Sequence, residues 1–160
     1  MAAVEPLTYR EPGIHTIYLR AALAAGFLSA VADRFGLWGP RGSPHVAWGD
    51  FPHFLSYTGL INPWAPAPLV PVLGWSATAA EVAFAVALLL GYRTRLAALG
   101  SGVLLLLFGL GMTMGTGIKT ALDASVFAAS AAGFALALSS AYPWSLDALK
   151  VKAPTPDSNS

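Results

Sequence analysis

The sequence predicts an all-α, polytopic membrane protein: an antiparallel bundle of four transmembrane helices with an aromatic-rich interfacial helix between the first two spans. Charged residues make up only 11 % of the chain and apolar ones 56 %, with a mean hydropathy of +0.61. A soluble domain carries about a quarter charged residues. The apolar residues gather in four blocks, each close to the roughly 20 residues that cross about 30 Å of hydrocarbon. Two of the connections between blocks are only a few residues long, which forces antiparallel neighbours.

Residues 1–15 form a polar N-terminal segment. Glu5, Pro6, Arg10, Glu11 and Pro12 break the basic-then-apolar order of a cleavable signal. The first span covers 16–37. The connection 38–68 is long but aromatic, with Trp48, Phe51, Phe54, Tyr57 and Trp64. Asp50 is placed to cap a short helix beginning at Phe51, and Pro52 fits its first turn, where no amide proton is needed. Trp48, Phe51, Phe54 and Leu55 then share one apolar face, suited to the membrane interface or to capping the bundle. Asn62-Pro63 ends that helix, and Pro66, Pro68 and Pro71 lead into the second span, 69–91. The turn Tyr92-Arg93-Thr94-Arg95 joins it to the third span, 95–117, and a glycine-containing turn at 115–119 joins that to the fourth, 120–141. The remainder, 142–160, reads as a tail, with a Pro- and Ser-containing end at 153–160 expected to be disordered.

Basic residues set the orientation. Arg10, Arg20, Arg93, Arg95, Lys150 and Lys152 fall on one side, and Arg34, Arg41 and Lys119 on the other. The larger group predicts that both termini and the Arg93/Arg95 turn are cytoplasmic. Packing is signalled by small residues four apart: Ser125, Ala129, Gly133 and Ala137 in span four, Ala22, Gly26 and Ala30 in span one, Gly111 and Gly115 in span three. Such faces let helix backbones approach closely where lipid removes the hydrophobic drive between helices. They would serve the bundle or a homodimer.

Composition also excludes functions. Without cysteine there are no disulfides, no thiolate metal sites and no paired-cysteine redox chemistry. His15, His45 and His53 lie outside the apolar blocks, so axial haem ligation is not expected, nor is a metal site. No basic stripe with interleaved aromatics exists for nucleic acid.

The charges inside the apolar blocks are the candidate site. Glu81 is the only charge in span two and falls near the bilayer midplane. An intramembrane carboxylate faces a partner, a cavity or a ligand, so Glu81 is read either as structural glue or as a proton-transfer or binding group. Thr78, one turn earlier, is placed to hydrogen-bond it. Arg20, about 9 Å below the Glu81 level by helical rise, either snorkels to the interface or reaches inward to Glu81. Asp33, Arg34, Lys119 and Asp123 share the outer level and sum to zero charge. They form either an ion-pair network between spans one and four or a polar pocket in which Arg34 or Lys119 takes an anion or a carbonyl oxygen. Trp48 in the loop and Trp75 near the start of span two complete the candidate ligand-binding set.

These residues resemble the DoxX family of small four-span membrane proteins, including relatives of the small subunit of thiosulfate:quinone oxidoreductase. The likeness runs from about Tyr18 to Leu138. It is carried by Leu19-Arg20 leading into Gly26-Phe27-Leu28, by Ala32-Asp33-Arg34-Phe35-Gly36 and by the aromatic loop from Trp48 to Tyr57. The second span with Glu81, the hairpin Leu90-Gly91-Tyr92-Arg93-Thr94-Arg95-Leu96-Ala97, and the glycines before Lys119 and Asp123 complete it. The resemblance implies a bacterial-type inner-membrane subunit that binds a quinone or other lipid-soluble molecule, with no covalent cofactor, and supports a membrane or soluble oxidoreductase. A non-enzymatic scaffold for such an enzyme and a small transporter or channel subunit are the alternatives.

Overall fold

The computed structural model describes residues 13–151, and every regular element among them is helical. In chain order these are α1 (Ile14–Arg34), α2 (Phe51–Ile61), α3 (Leu69–Leu90), α4 (Thr94–Thr116), α5 (Ile118–Asp123), α6 (Val126–Ala137) and α7 (Leu146–Val151). The expectations for 1–12, and for a disordered end at 153–160, lie outside the described residues.

Three helices, α1, α3 and α4, are long and apolar enough to cross a bilayer. By length and composition they mark a multi-pass membrane protein. Their outward faces carry large apolar side chains such as Val82, Val86, Leu89, Leu96 and Leu99, as a lipid-facing surface requires. The bounds of α3 and α4 lie within a residue of those expected. The first helix stops earlier, at Arg34, because Gly36 takes a left-handed φ of 72°.

No single helix covers 120–141, where a fourth span is expected. The segment is divided at Ala124–Ser125, and Ser125 itself is left-handed with φ 54°. Asp123 and Ser125 at the junction are residues whose side chains compete for backbone hydrogen bonds and disfavour a helix interior. The longer piece, α6, has 12 residues, or about 18 Å of rise, short of the hydrocarbon thickness.

Helix α1 packs on α3 and α6, and α4 packs on α3 and, most intimately, on α6. The α4–α6 contact is backbone to backbone: a Cβ added to Gly133 would stand 2.7 Å from the Gly102 nitrogen. Ser130 Oγ donates to the Gly102 carbonyl at 2.7 Å. This part of the small-residue pattern therefore does what it predicts. Gly111 instead admits the end of α2, with the Ile61 carbonyl 3.1 Å from where its Cβ would be. In α1 the pattern fails as a packing face: Gly26 is exposed, and a Cβ there would meet nothing within 4 Å.

The apolar core lies toward the Arg93 turn, where Leu23, Ala24, Phe27, Leu88, Ala98 and Leu136 meet. At the opposite end α2 lies across α3 and α4. Asp50 caps α2 as expected, its carboxylate accepting the His53 amide at 2.9 Å, with Pro52 in the first turn and Asn62 after the last residue.

Candidate functional site

Arg34 leaves the last turn of α1 and closes on α3. Its Nη1 donates to one Glu81 carboxylate oxygen at 2.5 Å and its Nη2 to the other at 2.8 Å. Nη1 also donates to the Thr78 hydroxyl at 2.9 Å, which in turn donates to the Gly74 carbonyl at 2.8 Å. The pair is dry: Arg34 is 2 % exposed and Glu81 1 %. A planar guanidinium on a carboxylate, two bonds in parallel, is the strongest form such a pair takes. It staples α1 to α3.

Aromatic rings complete the setting. The Arg34 guanidinium lies 3.8 Å from the Phe54 ring centroid and 5.4 Å from that of Trp48. Trp48 is brought there by the neighbouring residue. The Asp33 carboxylate accepts the amides of Ala47, Trp48 and Gly49 at 2.8, 3.1 and 2.9 Å, pinning the loop onto the end of α1. Trp48 then packs edge-on against Phe54 and beside Tyr57. Trp75 packs on Phe51, tilted by 33° with ring centroids 4.2 Å apart, but remains 54 % exposed on the outer face of α3, where an interfacial anchor belongs.

The other predicted pairings are not formed. Arg20 does not reach Glu81. Its Nε donates to the Leu88 carbonyl at 2.8 Å, Nη2 to Leu89 at 3.1 Å, and Nη1 to Pro143 at 3.0 Å. Main-chain carbonyls at the end of α3, released by the left-handed Gly91, take the cation instead, as helix C-termini do. Lys119 and Asp123 pair with each other at 2.5 Å, with side chains 85 % and 64 % exposed. They join neither Asp33, which is taken by the 47–49 loop, nor Arg34, which is taken by Glu81 and Thr78 of α3.

Beyond the spans, Asp50 is held below the usual carboxylate range, first by the His53 backbone amide and then by the His53 ring. The His53 Nδ1 is 2.7 Å from both Asp50 oxygens, and Arg41 Nη1 sits against His53 Nε2. Burial pushes the Tyr57 hydroxyl up.

The feature that sequence reasoning missed is a cavity of about 1200 Å³ bounded by α1, α2, α3, α4 and α6. Ala22, Gly26 and Ala30 of α1 form one wall, Ala77, Ala80 and Glu81 of α3 another, and α2 closes one end with Phe54, Tyr57 and Thr58. Of the predicted site residues, Glu81 and Trp48 line it. Small residues are the one available signal. The stripe in α1 keeps a helix face low, and where no helix fills the space a void remains.

Fold and site thus define a multi-pass helical membrane protein with a large apolar cavity beside a buried arginine–glutamate pair. Compared with family models, with curated proteins and with solved structures, the chain has no match.

Proposed function

We propose that this protein is a DoxX-like inner-membrane subunit that holds a quinone or another lipid-soluble molecule in the cavity and supports a membrane oxidoreductase. The observation that carries this reading is the cavity itself. It is larger than the roughly 300–1,000 Å³ of most small-molecule sites and is walled chiefly by aliphatic and aromatic side chains. In this reading α5 and α6 together make the fourth crossing, and both chain ends lie on the cytoplasmic side with Arg93. Arg34 and Glu81 hold the wall in shape. Glu81 is not assigned the proton-transfer role, because Arg34 occupies both of its oxygens.

A titration of purified protein with a short-chain quinone tests this. The expected result is saturable binding near one per chain in the wild type and none in Gly26→Leu, which fills the cavity from a position where a Cβ meets nothing within 4 Å. Unsaturable partitioning that is identical in the two proteins would sink the proposal.

A further inference from the structure

The cavity draws its polarity from few atoms, and no lysine, arginine or histidine among the described residues lines it. The buried guanidinium of Arg34 is engaged by Glu81 and Thr78. Lys119 is outside, on Asp123. The one carboxylate on the wall, Glu81, has both oxygens on Arg34. An anionic head group would find no free cation here, and an unpaired charge in an apolar setting is expensive. A cationic head would have to displace Arg34 from a bidentate pair.

Uncharged hydrogen-bonding groups, in contrast, are available. Tyr57, half-buried, and Ser76, exposed, both line the cavity, and neither hydroxyl has a hydrogen-bond partner among the described residues. The neighbouring Thr58 hydroxyl is already used on the Phe54 carbonyl at 2.9 Å. Both free hydroxyls belong to the end covered by α2: Tyr57 lies in α2 itself, and Ser76 follows the Gly74 against which Leu55 packs. Toward the Arg93 turn the lining is Leu19, Leu23, Phe27, Leu104 and Leu105, all apolar. Along α1 the wall from Ala30 to Leu19 descends about 16 Å at the rise of a helix.

We propose that the cavity selects an uncharged amphiphile. Its carbonyl head is held by Tyr57 and Ser76 under α2, and its hydrocarbon chain lies along α1 toward Leu19. This rests on the reading that the cavity is a ligand site and narrows what it takes. A quinone and an acylglycerol ester share the required chemistry: neutral, a carbonyl acceptor, one apolar chain.

Three probes with the same decyl chain length separate the possibilities: a decyl benzoquinone, decanoyl glycerol and decyl phosphate. Each is titrated into the delipidated full-length protein in mild detergent, with occupancy read by native mass spectrometry. At least one neutral probe is expected to bind at one per chain, and decyl phosphate at least about tenfold more weakly. Which neutral probe binds better identifies the source of the carbonyl. Tyr57→Phe combined with Ser76→Ala removes two hydrogen bonds and is expected to weaken the neutral probe about tenfold, without lowering the unfolding temperature. Decyl phosphate binding as tightly as the neutral probes, or a double variant that binds like the wild type, overturns the head-group assignment while leaving the cavity reading intact. If none of the three binds the wild type, the cavity reading fails and this inference with it.

Discussion

Arg34 is taken up by a carboxylate and Arg20 by main-chain carbonyls, although both stand on α1 and both were candidates for polar work in the membrane. The sequence shows that Glu81 needs a partner. It does not show which one, because counting helical rise places Cα atoms and ignores the reach of an extended arginine and the angle between helices. Arg34 reaches back along α3, and Thr78 was legible as a neighbour by its one-turn spacing. Removing half of a buried pair leaves the other charge uncompensated and costs about 3–5 kcal/mol. Glu81→Gln is therefore expected to lower stability by that order in thermal unfolding in mild detergent. Replacing Arg34 and Glu81 together by methionine is expected to recover most of the loss. A double variant as unstable as Glu81→Gln would show that the pair does more than neutralise itself.

Among the elements, α2 is the part whose local chemistry was plainest in advance. An acidic N-cap, proline in the first turn and Asn62-Pro63 beyond the end all act as such residues act elsewhere. The cap also fixes how this element responds to acid. Asp50 is held below its ordinary value in the folded protein, so its contribution is complete above the unfolded carboxylate value of about 3.9 and is lost as pH falls through the lower folded value. Below about pH 4 the first turn of α2 is expected to loosen. The change is readable as altered fluorescence of Trp48, which packs on Phe54 and Tyr57. Asp50→Asn keeps a capping side chain and removes the titration, so the acid step is expected to shrink; an unchanged step would place its origin elsewhere. The fourth apolar block was the least legible element. Its alanine-rich composition suits a helix, and the break falls at Asp123–Ser125, where Ser125 turns left-handed. A single residue's φ is settled by tertiary contacts that pattern alone does not carry.

At the scale of the whole molecule, the two ends are built differently. Toward the Arg93 turn, leucine, phenylalanine and alanine side chains close the interior, and Arg20 ties α1 to the end of α3 and to the 143–144 segment. The Asp147 carboxylate accepts the amides of Arg93 and Thr94 at 2.9 and 2.7 Å, fastening the start of α4. Toward α2 the interior is open, and the small residues Ala22, Gly26 and Ala30 face space. The all-helical class and the α3–α4 hairpin were readable from apolar length and a short turn. The cavity was not, because a void is a relation among several helices and no one of them records it. The most direct measurement is native mass spectrometry of the full-length protein released from its own membranes, wild type beside Gly26→Leu. The account predicts one neutral, lipid-soluble molecule per wild-type chain and none in the variant, with both proteins folded. A wild-type chain free of bound small molecules, or the same occupancy in both, would contradict it.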